Sequence, residues 1–231
     1  MARGFAQETP ALKGIRQSGK TYLLKQLFAP SFPASHYFDL KMNSAAKAVF
    51  SSGNLDPQHI LQELEFVAGK TIDVSRELLI FDEIQACPTA LTALKYFCEL
   101  MPGAFIAAAG SLLGVHLSQE PFPIGKIDMI NVDPLDFREF LSATGENRAI
   151  DLLTEANPYK PLSDSVHNRI WQIYGKYMAV GGMPEAVEVT SIMFKMVSGQ
   201  HTTLFVPYSS IWLKAGYQTL QGIPARQTPS T

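Results

Sequence analysis

At 231 residues, 46% of them hydrophobic and 17% charged, the chain has the makeup of a folded globular protein and not of a disordered or fibrous one. A formal net charge of -2 excludes a broad basic field for nucleic acid, while leaving room for a local patch. Two cysteines, Cys87 and Cys98, are too few for a disulfide framework and have no metal-ligand spacing to a histidine. No run nears the roughly 20 apolar residues that span a bilayer, and the start lacks a signal peptide's apolar core, so a cytoplasmic protein with buried thiols is expected.

From Pro10 to Asp133 short apolar runs alternate with helical patterns, the rhythm of βαβ units around a parallel sheet. Residues 10–13 form a first strand that enters a glycine loop, and residues 21–28 continue as an amphipathic helix until Pro30 and Pro33 end it. His36-Tyr37-Phe38-Asp39-Leu40 is a second strand. Asp56-Pro57 pairs a capping acceptor with a proline at the first helical position, and Ile60, Leu61, Leu64 and Val67 follow at helical spacing up to Gly69. Residues 77–82 are almost continuously apolar, as a central parallel strand should be. Pro88 starts a helix through Leu100, residues 105–109 form another strand ending at Gly110-Ser111, and residues 127–132 form a fifth.

Beyond Pro134 the pattern turns helical, with Phe137, Phe140 and Leu141 on one face and a break at Asn157-Pro158. A long helix over residues 163–180 is interrupted by Gly181-Gly182-Met183-Pro184, and residues 191–231 carry no legible periodicity. The expected organisation is a P-loop core over residues 8–133, a small helical lid over 134–190 and an irregular tail over 191–231 whose last residues are disordered.

The loop reads Gly14-Ile15-Arg16-Gln17-Ser18-Gly19-Lys20-Thr21, a complete G-x-x-x-x-G-K-[ST] motif between a strand and a helix. Glycines let backbone N–H groups turn inward, and the helix N-terminus adds positive partial charge beneath the phosphates of ATP or GTP. Lys20 is expected to reach the β- and γ-phosphates and the Thr21 hydroxyl to ligate Mg²⁺. Asp82 stands at the end of an apolar strand, where a P-loop needs a carboxylate to hold the metal through its water shell. Glu83, pointing elsewhere, suits a base that orients and deprotonates water. Ser111 reaches the γ-phosphate only if its strand lies beside that of Asp82. A plain turn role is its alternative, as a loop amide is for Gln85.

These segments, with Leu79-Ile80-Phe81-Asp82-Glu83-Ile84-Gln85-Ala86-Cys87-Pro88, Ala109-Gly110-Ser111-Leu112-Leu113-Gly114 and Val180-Gly181-Gly182-Met183-Pro184-Glu185, give the chain a specific resemblance over about residues 8–190. It resembles the prokaryotic AAA-type (AAA+) ATP-binding proteins whose P-loop reads G-x-R-Q-x-G-K-T and whose acidic motif reads D-E-I-Q. The resemblance implies an α/β P-loop fold with ATP and Mg²⁺ as cofactors, Lys20 and Thr21 as Walker A residues, Asp82 and Glu83 as Walker B residues, and Ser111 at the sensor position. It also allows a homo-oligomer in which a neighbour supplies an arginine finger. Lys126, Arg138 and Arg169 are candidates for that role, none of them assignable, and His116 and His167 lack any ligand partner at metal spacing. Members continue into a C-terminal domain that residues 191–231 do not carry recognisably, so a truncated or frameshifted chain is expected.

Three functions are compatible with these residues. An ATP hydrolase that drives a conformational change uses every one of them. A nucleotide-binding module without turnover needs only the cradle, and a small-molecule kinase leaves Glu83 unexplained.

Overall fold

Apolar runs punctuated by glycine and proline build five strands: β1 (Thr9–Gly14), β2 (Ser35–Asp39), β3 (Leu78–Asp82), β4 (Ile106–Ser111) and β5 (Ile127–Asn131). They lie in one sheet of order β2-β3-β4-β1-β5, and every pairing is parallel. The computed structural model describes residues 9–111 and 127–197, with side chains to residue 192. Contacts divide the chain into two units, Met1–Asp133 and Pro134–Thr231.

Parallel strands are joined by crossovers that cover both faces of a sheet, so their residues are buried without alternation. Every residue of β3 and of β4 is buried. On one face Phe38, Leu79, Phe81, Ile106 and Ala108 pack with residues of three helices, α2 (Ser44–Ser51), α3 (Pro57–Ala68) and α4 (Pro88–Leu100). Phe81 sits at the centre, edge-on to Phe50 with ring centroids 5.3 Å apart and tilted against Phe38 at 6.3 Å. The helix ends follow local chemistry. Asp56 accepts from the N–H groups of Gln58 and His59 and Pro57 opens α3, while Gly69, at φ 67°, closes it in the left-handed conformation that lacks a Cβ penalty only in glycine.

The helix after the glycine loop differs from the expectation. Only α1 (Lys20–Tyr22) is α-helical; Leu23–Phe28 is a π-helix and Ala29–Ser31 a 3-10 turn. Pro30 therefore lies inside a helical turn and does not end it, because a residue in the first positions of a turn has no N–H to donate inward. The helix α2 was not expected from the pattern. Its eight residues are too few for a clear period, and it is held by the Asn43 side chain accepting from Ala46 N at 2.9 Å and by burial of Ala46, Val49 and Phe50.

The second unit contains α5 (Phe137–Thr144), α6 (Asn147–Glu155), α7 (Asp164–Val180) and α8 (Pro184–Val197). Asp136 and Glu139 form a reciprocal capping box at the start of α5. The tail expectation is corrected in part, since α8 runs past residue 191; residues 198–231 lie outside the described residues. Phe137 and Phe140 pack on Tyr174 and Tyr177 of α7 at centroid distances of 5.1–5.6 Å. The Gly181-Gly182 pair has a structural reason. Gly181, at φ 77°, ends α7, and Gly182 O accepts from Leu135 N at 2.7 Å. A Cβ on Gly182 would stand 2.1 Å from Leu135 O, which is backbone and cannot swing aside. Gly182→Ala is expected to destabilise this unit by about 1–3 kcal/mol, the usual penalty of overpacking, read as a lower denaturation midpoint.

Candidate functional site

All five strands end at the same edge of the sheet, which is where open parallel sheets take their ligands. Gly14 closes β1 opposite Ser111 of β4, and a Cβ on Gly14 would lie 2.1 Å from Val132 O and 3.1 Å from Ser18 Oγ. Gly14→Ala is thus expected to destabilise the first unit by about 1–3 kcal/mol, measured as a shift in the thermal midpoint. The loop then turns through left-handed residues, Gln17 at φ 63° and Gly19 at φ 92°. Such a turn aims successive N–H groups at one point, and in Gln17 it stores about 1–3 kcal/mol of strain. Ile15, Arg16 and Gln17 are exposed, while Ser18 is fully buried.

Lys20 is only 7% exposed, and its ammonium donates to Gly14 O at 3.0 Å, Ile15 O at 2.6 Å and Ser18 Oγ at 3.4 Å. Burial pulls its pKa below the ordinary lysine value, and the charges of Glu83 and Asp82 oppose that pull. The Lys20 cation therefore faces the carboxylates at the end of β3 and just beyond it.

Asp82, 61 residues beyond Thr21 in sequence, is buried and accepts from the Thr21 hydroxyl at 2.5 Å. Its Oδ2 also accepts from the Tyr37 hydroxyl at 2.8 Å, and its Oδ1 from Glu83 N at 2.8 Å. Glu83 is left-handed at φ 50°, ψ 39°, a strained turn directly after the strand. The strands of Asp82 and Ser111 are neighbours, the condition on which a role for Ser111 depended. Gln85 Nε2 donates both to Glu83 Oε2 at 2.5 Å and to Ser111 Oγ at 3.1 Å. Gln85 is thus more than a solvated loop amide; its Oε1 is buried with no protein partner.

The donors fit a hard divalent cation. Mg²⁺ is characteristically held through a hydroxyl, one or two carboxylates and substrate phosphates, and not by a cage made of protein alone. Thr21 and Asp82 meet that description, and among the described residues no group of three or more His, Cys, Asp or Glu could hold a metal by itself. The cradle likewise suits phosphate, with a glycine pressed against backbone at one end and a lysine at the other.

Two residues of this group escaped the sequence reading: Tyr37 and Lys25, whose ammonium lies 3.6 Å from the centre of the Tyr37 ring. Burial and the hydrogen bond to Asp82 raise the Tyr37 pKa beyond its ordinary value, so the phenol keeps its proton. A spacing of four between Thr21 and Lys25 was the available signal, since it places both on one helix face. Arg138 donates to Thr154 and Arg169 pairs with Glu146, both exposed contacts within the second unit, and His167 stacks on Trp171. His116 and Lys126 lie outside the described residues. Cys87 and Cys98 form no disulfide, and among the described residues no helix is long and apolar enough to cross a membrane.

The sequence profile of the AAA domain matches residues 7–141, more than half of the chain and all of the site. The chain belongs to the AAA domain family. No curated protein matches it. Among solved structures, this AAA chain is similar to PCH-2 of C. elegans, with a TM-score of 0.47 and 11% identity over 94% of this chain and 62% of that one. It is also similar to two Aeropyrum pernix proteins. ORC1, in complex with DNA, gives a TM-score of 0.40 and 13% identity over 94% of this chain and 63% of that one. ORC2 in its ADP form gives 0.44 and 14% over 91% and 62%. The chain spans less than two thirds of the length of each.

Proposed function

We propose that this AAA domain binds ATP with Mg²⁺ at the carboxyl edge of its sheet and hydrolyses it. The observation that carries the reading is the meeting of Thr21 and Asp82, a hydroxyl and a carboxylate 61 residues apart, directly after a loop that buries Lys20. Family membership and the complete loop motif support it. In this reading Lys20 exchanges its loop carbonyls for phosphate oxygens and neutralises charge there, while residues 14–19 supply backbone donors. Thr21 and Asp82 hold the cation, which when bound neutralises the phosphates and orients them. Glu83 takes the proton from the attacking water, and Ser111 contacts the transferred phosphoryl group. Residues 134–190 would act as the helical lid that converts nucleotide state into movement.

A second reading, a nucleotide-binding module without turnover, is favoured by one contact: Gln85 donates to one oxygen of the Glu83 carboxylate, which makes that oxygen a weaker base. Titration of the purified chain with a fluorescent ATP analogue, paired with steady-state phosphate release, separates the two. Tight binding with Mg²⁺-dependent release supports the hydrolase, and binding without release supports the module. Absence of nucleotide binding would sink both.

A further inference from the structure

We propose that Tyr37, steadied by Lys25, is the positioning residue of the Asp82 carboxylate and thereby sets how strongly the nucleotide site takes its divalent cation. This rests on the reading that ATP and Mg²⁺ bind there.

The geometry has three parts. First, Asp82 receives three donors, each with a different origin: Thr21 from the glycine-loop helix at 2.5 Å, Glu83 N from the turn after β3 at 2.8 Å, and the Tyr37 hydroxyl from β2 at 2.8 Å. A carboxylate given donors on both oxygens has no free rotation left, and charge-assisted bonds of this kind are the strong ones. Second, Tyr37 is the donor with no other task in the site. Thr21 is assigned to the metal, and Glu83 N is part of the turn itself. Third, the ring of Tyr37 is itself held, since the Lys25 ammonium lies 3.6 Å from its centroid, well within cation–π range. Thr21 and Lys25 are four positions apart, so one helix face grips both ends of the Asp82–Tyr37 pair.

Strand register explains why Tyr37 can reach. Asp39 of β2 is paired with Asp82 and Tyr37 with Ile80, so Tyr37 lies two residues back along the neighbouring strand. A phenol spans that offset and a shorter hydroxyl does not. The carboxylate is therefore braced from β2, the strand on the far side of β3 from β1, by a residue that no motif marks.

The test is Tyr37→Phe, which removes one oxygen and leaves the ring for Lys25. With a fluorescent ATP analogue the variant should keep wild-type affinity in EDTA. Its gain in affinity on adding Mg²⁺ should fall about 3–10-fold, the scale of one ordinary net hydrogen bond. Mn²⁺ binding to the nucleotide-loaded protein, followed by electron paramagnetic resonance, should weaken by the same factor. Lys25→Met should give a smaller loss, about 2-fold, in line with an exposed cation–π contact. In an Asp82→Asn background Tyr37→Phe should add nothing, because the two act as one unit.

A merely structural tyrosine would lower the denaturation midpoint and weaken binding equally with and without metal, and that result overturns the proposal. So does unchanged Mn²⁺ affinity in Tyr37→Phe when the wild type shows a clear metal-dependent gain. A wild type with no such gain overturns the ATP–Mg²⁺ reading first and this inference with it.

Discussion

Glu83→Gln is expected to lower phosphate release by roughly 10²–10⁴-fold, the usual contribution of a positioned general base, with nucleotide affinity unchanged. Glutamine has the same length and can still take the hydrogen bond from Gln85, so the turn at φ 50° and the contact to Ser111 survive. What it lacks is a lone pair basic enough to take a proton. Glu83 suits the role because it is half-buried, it follows Asp82 at a strained position, and two hydrogen bonds through Gln85 link it to Ser111 at the end of β4. Asp82 suits the role less well, since it is buried and already accepts from three donors that stabilise its charged form. A glutamine variant that releases phosphate at the wild-type rate would remove Glu83 from the mechanism.

Lys20→Ala is expected to weaken nucleotide binding by about 100-fold, or about 2.7 kcal/mol, equal to one or two charge-assisted hydrogen bonds. The ammonium is nearly buried, and its three present partners are an uncharged hydroxyl and two backbone carbonyls of the loop itself. Phosphate oxygens are stronger partners than these, and burial strengthens the attraction by excluding water. Alanine also leaves Asp82 and Glu83 without the cation that offsets them, so phosphate would approach two uncompensated negative charges. Fluorescence titration checks the affinity. A variant that binds within 3-fold of the wild type would show that the loop backbone alone accounts for binding.

The glycine loop and the acidic strand end were legible because each is announced by a local pattern. Glycines at 14 and 19 bracket the loop, an apolar strand ends at Asp82-Glu83, and Asp56-Pro57 and Pro88 start helices for reasons confined to one turn of chain. Such features depend on φ angles, caps and periodicity, which neighbours in sequence decide. The helix at residues 44–51 and the π-helix at residues 23–28 were not legible, because the first is too short to show a period and the second breaks the expected one.

By itself the sequence determined the P-loop, the acidic strand end and the α/β class. Tertiary structure alone decided that β3 lies between β2 and β4, and that order brings Tyr37 to one side of Asp82 and Ser111 to the other through Gln85. The physical reason is that a parallel sheet joins its strands through crossovers, so which strand ends become neighbours is set by packing across the whole unit and leaves no mark in any short stretch of residues.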